Sequence, residues 1–93
     1  MMSKKNPADK RYYEIHIHRQ VNRAIYPLSR KESEPIRQTI WSLQMNPKPE
    51  GSQLLDDINR IYEYRIAETP YTLLYQVVER ERFFVRILSL KTL

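Results

Sequence analysis

The last third of the chain alternates apolar and polar residues with a period of two. It does so in three short runs, "IYEYRI" (61–66), "YTLLYQV" (71–77) and "FFVRILSL" (83–90). Only strands with one buried face turn that period into a continuous apolar surface. The inward sets are Tyr62, Tyr64 and Ile66; then Tyr71, Leu73, Tyr75 and Val77; then Phe83, Val85 and Ile87, because the opposite parity would bury Arg86. "AETP" and "VERER" connect them. A fourth alternating run, "YYEIHIH" (12–18), stands near the start and reads as a first strand with one wet face.

Between these strand signals the period changes. Val21, Ala24, Ile25 and Leu28 follow the spacing of one helical stripe, and Pro27 stops or kinks that helix. Ser29 with Glu32 has the spacing of a capping box, and Ser33 before Glu34-Pro35 offers a second start. Ile36, Ile40 and Leu43 continue the apolar side, with Trp41 and Met45 on its flank, until "NPKPEG" ends the helix. The expected order is β-α-α-β-β-β, an α+β fold with a small antiparallel-rich sheet. Both helices pack on one sheet face, and the other face stays open.

Ninety-three residues make one domain with a thin core. Residues 11–93 are assigned to that domain and residues 1–10 to a flexible basic arm. Seven tyrosines suit a core close to water. With no cysteine, disulfides, thiolate metal sites and a Cys nucleophile are excluded. The basic, polar "MMSKKNPADKR" has no apolar run behind it, so neither a signal peptide nor a membrane span is expected, and the cytoplasm is the default compartment. His16 and His18 share a strand face, but no third histidine or cysteine exists to complete a zinc site; neither a metal nor a cofactor is expected. Trp41 and the inward tyrosines are assigned to the core.

The net charge of +5 is unevenly distributed. Residues 1–31 carry eight Lys/Arg and two acids, whereas residues 32–60 carry three and five. A basic N-terminal third points to a polyanionic partner: RNA, DNA or an acidic protein segment. Arg19, Arg23, Arg30 and Lys31, the cations of this third that fall in the helical part, are candidate RNA contacts.

A register follows from the loops. A four-residue turn at 67–70 puts Arg65 directly opposite Thr72 and Glu63 opposite Leu74. A five-residue second loop puts Leu88 beside Thr72 and Arg86 beside Leu74, so that Arg86 lies diagonal to Thr72.

The order of these elements, with "NPKPEGSQL" after the second helix and the hairpin "IYEYRIAETPYTLLYQV", resembles the RelE/ParE superfamily of small toxins from bacterial type II toxin–antitoxin pairs. The resemblance runs from about Tyr12 to Lys91. It implies a compact α+β fold and a cognate antitoxin that wraps the toxin. For RelE-like members it also implies cleavage of messenger RNA on the ribosome; for ParE-like members it implies binding to DNA gyrase without cutting. A third possibility is a degenerate member that serves only an antitoxin-like partner.

The resemblance places Arg65 on a basic position of the family's cleft. Glu50, in "KPEG", is similar to the general-base glutamate of the YoeB-like branch, and Lys91 is the basic residue left in the last strand, "SLKTL". Two positions depart from the family's pattern: Glu63 stands where RelE-like nucleases are basic, and Thr72 where they carry an arginine. Arg86 would be a relocated phosphate clamp replacing that arginine. Arg65 could instead pair with Glu63 or Glu68 on a solvated strand.

Overall fold

The computed structural model describes residues 12–92. The expected arm at 1–10 lies outside the described residues. The elements in chain order are β1 (Glu14–Ile17), α1 (Arg19–Ile25), α2 (Arg30–Ser42), β2 (Gln53–Asp56), β3 (Ile61–Arg65), β4 (Tyr71–Glu79) and β5 (Phe83–Thr92). They form a five-stranded sheet in the order β1-β5-β4-β3-β2. β1 runs parallel to β5, and the other pairs are antiparallel.

The α+β class and the helix placement agree with the sequence reading, and one strand is added. β2 was not expected because "QLLD" does not alternate: Leu54 and Leu55 are adjacent and both exposed. Its ladder with β3 is broken by an irregularity between Leu54 and Asp56. β2 is held as a strand by its neighbour, with no apolar period of its own to announce it.

Two local signals compete for the start of α2, and the earlier one wins. Ser29 Oγ accepts from Glu32 N at 3.1 Å while the Ser29 N–H donates to Glu32 Oε1 at 3.1 Å, closing both halves of a capping box. Pro35 therefore sits inside the helix, in its second turn. α1 stops at Ile25, just ahead of Pro27. His18, expected to be a solvent-facing strand residue, caps α1: its Nδ1 accepts from Gln20 N at 3.0 Å.

Val21, Ile25, Ile36, Ile40 and Leu43 from the helices meet Tyr62, Ile66, Leu73, Tyr75, Val77, Val85 and Ile87 from the sheet in one core. Ala24 is exposed, so the α1 stripe is narrower than its spacing suggested. Trp41 is 50% exposed and lies in a groove of about 650 Å³ with Leu28, Arg37 and Gln38. It belongs to the outer side of α2 and not to the core, one position round the helix from buried Ile40.

The central hairpin has the expected register, with Arg65 opposite Thr72 and Glu63 opposite Leu74. Its loop is closed by Ile66 N–H donating to Tyr71 O at 3.0 Å, and Glu68 takes a positive φ of 63° within it. The β4–β5 register differs from expectation for two reasons. β4 runs on to Glu79, which pairs with Phe83, so the connecting loop is shorter than five residues. A bulge between Leu74 and Tyr75, with Leu88 as the extra residue, then shifts the end of β5 by one position. Lys91, in place of Leu88, stands opposite Thr72, and Arg86 pairs with Gln76.

The free edge of β1 is tied down at its start. Arg82 Nη2 donates to Glu14 Oε1 at 2.7 Å, and His16 Nε2 lies 3.1 Å from the same oxygen. The Arg82 hydrogen bond, followed by that of His16, holds the Glu14 carboxyl below its ordinary value of 4.5. A carboxylate favoured in the folded state adds stability above pH 4.5 that is lost as the pH falls through its folded value. Glu14→Gln is expected to flatten, slightly, the fall in Tm below pH 4.5, as followed by thermal unfolding across an acid pH series.

Candidate functional site

The face away from the helices carries the residues of opposite parity. Arg65 on β3, Thr72 on β4 and Lys91 on β5 lie in one cross-strand row. Successive partners in such a row are about 5 Å apart, so the Arg65 and Lys91 α-carbons stand roughly 10 Å from one another. That separation suits two long cationic side chains that converge on one anion above the small residue between them.

Thr72 is only 8% exposed, although it faces outward. Arg65 and Lys91, on either side of it, are both exposed. Neither makes an ion pair or a side-chain hydrogen bond with any described residue. The alternative pairing of Arg65 with Glu63 or Glu68 is therefore not formed. An unpaired, hydrated guanidinium keeps its full set of donors for a ligand.

Beside this row the surface dips into a cavity of about 270 Å³ lined by Gly51, Gln53, Glu63, Arg65 and Thr72. Gly51, the only glycine of the chain, has a φ of +97° and turns the chain into β2. A β-carbon there would strain that backbone. The connector before it is anchored to the sheet: Tyr75 OH donates to Pro47 O at 2.8 Å, and Lys48 Nζ lies 3.8 Å from Glu79 Oε1. Burial pushes the Tyr75 phenol up to about 12. Tyr75 thus acts as an inward-facing anchor for the rim of the cavity and is protonated at neutral pH.

The sequence reading named eight site residues, and the fold separates them into groups. Arg65 and Lys91 come together across Thr72. Glu50 is exposed in the turn next to Gly51 and does not line the cavity. Arg86 is not diagonal to Thr72. Its Nη1 donates to Gln76 Oε1 at 3.0 Å, its guanidinium carbon lies 5.2 Å from the Phe84 ring centroid, and it borders a different cavity with Arg60 and Arg80.

Arg19, Arg23, Arg30 and Lys31 are all exposed on the helical layer, across the sheet from Thr72. Lys31 lies against the hairpin loop, sharing a small pocket with Glu68, Thr69 and Pro70 at the Arg65 end of the sheet. Gly51 and Gln53 were not singled out as site residues. The single glycine in a Pro-rich connector was the available signal for the first; Gln53, in an unannounced strand, had none.

The arrangement of helices, sheet and connector can be compared with solved structures. A chain of the archaeal RelE–RelB complex from Pyrococcus horikoshii OT3 superposes with a TM-score of 0.75 at 23% identity, covering 87% of this chain and 94% of that one. This protein has the RelE toxin fold. The RelBE toxin–antitoxin complex of E. coli gives a TM-score of 0.71 at 18% identity, covering 87% of this chain and 96% of its own. RelBE2 from Mycobacterium tuberculosis gives 0.70 at 18% identity, covering 89% and 93%. No protein-family model and no curated protein sequence matches the chain. The RelE fold accounts for the topology; the residues on its open face must be judged by their own chemistry.

Proposed function

We propose that this protein is the toxin of a toxin–antitoxin pair and that it cleaves messenger RNA on the ribosome. The observation that carries the reading is the Arg65–Thr72–Lys91 row on the open face of a RelE fold, with two unpaired cations flanking a small residue. RNA cleavage of this kind is attack of a ribose 2′-hydroxyl on the adjacent phosphate. Negative charge builds on the phosphate oxygens in the transition state, and fixed cations stabilise it. Arg65 presents a planar fork of donors to those oxygens, and Lys91 presents a mobile ammonium. Lys31, Arg30, Arg19 and Arg23 add positive charge that draws in ribosomal RNA. The partner in the resting cell is an antitoxin, as in the RelB-bound and RelBE assemblies of similar fold. A cytoplasmic location fits that target, and no helix among the described residues is long and apolar enough to cross a membrane.

Expressing the protein without an antitoxin and mapping transcript 5′ ends tests the reading. New ends inside translated codons are expected; intact messages during growth arrest would contradict it.

The neutral Thr72 at the centre of the row supports a second reading, a face that binds without cutting, with DNA gyrase as the target. Thr72→Arg separates the two. A charge-assisted hydrogen bond to phosphate contributes about 1.5–3 kcal/mol, so on the nuclease reading this variant should raise cleavage about tenfold or more. Unchanged cleavage, together with inhibited supercoiling by purified gyrase, would favour the second.

A further inference from the structure

The cavity beside Arg65 also holds a carboxylate. Glu63 lines it together with Arg65 and Thr72. It lies two residues before Arg65 on the same strand face, with roughly 7 Å between α-carbons. Its cross-strand neighbours are Gln53 and Leu74, so neither flanking strand places a cation beside it. The side chain is half-buried and makes no ion pair or hydrogen bond with any described residue. Glu50, the other acid near this site, stands outside the lining.

A carboxylate in this position has two possible effects on an RNA substrate. Facing a phosphate, it would repel it. Facing the ribose on the 5′ side of the clamped phosphate, whose 2′-hydroxyl attacks, it would accept a proton. Three features favour the second: a recess of about 270 Å³ that the carboxylate itself lines, a carboxylate with open lone pairs, and phosphate donors one row away at Arg65 and Lys91.

We propose that Glu63 is the general base of the cleavage reaction; this rests on the nuclease reading given above. The Glu63 carboxylate takes the proton of the attacking ribose 2′-hydroxyl. The 2′-oxygen forms a bond to phosphorus while the bond from phosphorus to the 5′-oxygen breaks, its electron pair leaving on that oxygen. The Lys91 ammonium supplies the proton that the departing oxygen needs. One proton leaves the substrate and one arrives, and the products are a 2′,3′-cyclic phosphate and a 5′-hydroxyl. Lys91 lies two strands and one row from Glu63, about 12 Å between α-carbons, so the two groups reach the phosphate from opposite sides.

The test is single-turnover cleavage of a message on purified translating ribosomes, with ribosome binding measured in parallel for the wild type, Glu63→Gln and Glu63→Asp. Glu63→Gln keeps the shape and removes the base. It is expected to lose about 10²-fold or more in cleavage rate with binding retained, while Glu63→Asp falls between it and the wild type. If Glu63→Gln cuts as fast as the wild type or faster, as removal of a merely repulsive charge would make it, the proposal is overturned and the nuclease reading stands. If the wild type itself makes no cut, both fall.

Discussion

Arg65→Ala is expected to lower message cleavage about 10²–10³-fold with little change in folding stability, the loss typical of removing one preorganised donor from developing negative charge. The side chain is exposed and touches no described partner, so its deletion leaves no buried group unsatisfied. Single-turnover rates on programmed ribosomes measure the first part, and urea denaturation the second. Arg65→Lys should recover only part of the rate, because an ammonium cannot offer the guanidinium's two parallel donors. A decrease confined to ribosome affinity, with cleavage at saturation unchanged, would make Arg65 a docking residue and move the chemistry elsewhere.

The second large effect concerns Tyr75. It is fully buried, stacks on Tyr62 with ring centroids 5.7 Å apart, and donates from its hydroxyl to Pro47 O. Tyr75→Ala should destabilise the fold by about 3–5 kcal/mol, the usual cost of removing a large aromatic ring from a core. Small domains have only about 5–15 kcal/mol in total, so this variant sits near the edge of folding. Tyr75→Phe keeps the ring and loses only the hydrogen bond, which should cost about 1 kcal/mol. Chemical denaturation of the two variants separates packing from anchoring. Because Pro47 belongs to the connector that leads to Gly51, Tyr75→Phe should also loosen the cavity rim, seen as faster hydrogen exchange around Ser52 and Gln53.

The parts of this fold that were legible in the sequence are those dictated by local chemistry. Ser29 and Glu32 set the start of α2 through a reciprocal pair of hydrogen bonds within three residues, and both bonds are present. The 67–70 loop fixed the β3–β4 register, because a four-residue turn leaves little freedom for the pairing that follows. What was not legible depends on neighbours distant in sequence. β2 exists because β3 offers it an edge, and its exposed leucines carry no period. The β4–β5 bulge is a compromise between Leu90 packing on the core and Val85 and Ile87 doing the same from the other parity.

That bulge also decides the candidate site. Without it, the pairing set by Glu79 and Phe83 would continue to put Leu90 opposite Thr72 and Lys91 opposite Tyr71. With it, Lys91 takes the place opposite Thr72; Arg86, between the loop and the bulge, is paired with Gln76 by the short loop alone. Arg65 could be selected from the hairpin alone, since its position depends on one short turn. Glu63 was visible as an acid in a row of expected cations. Its membership of a recess with Gly51 and Gln53 required β2 to be in place. Trp41 shows the same limit from the helical side: a residue on the flank of an apolar stripe is buried only if another element covers it, and no described element encloses it fully.

Cutting of RNA by the open sheet face is tested by primer extension on a message held by purified translating ribosomes, with the wild-type protein and Arg65→Ala side by side. New 5′ ends carrying 5′-hydroxyl groups are expected within the codons being translated for the wild type, and their near-complete absence for Arg65→Ala. Full-length message with the wild-type protein bound to the ribosome, or the same cuts from Arg65→Ala as from the wild type, would contradict cutting by this face.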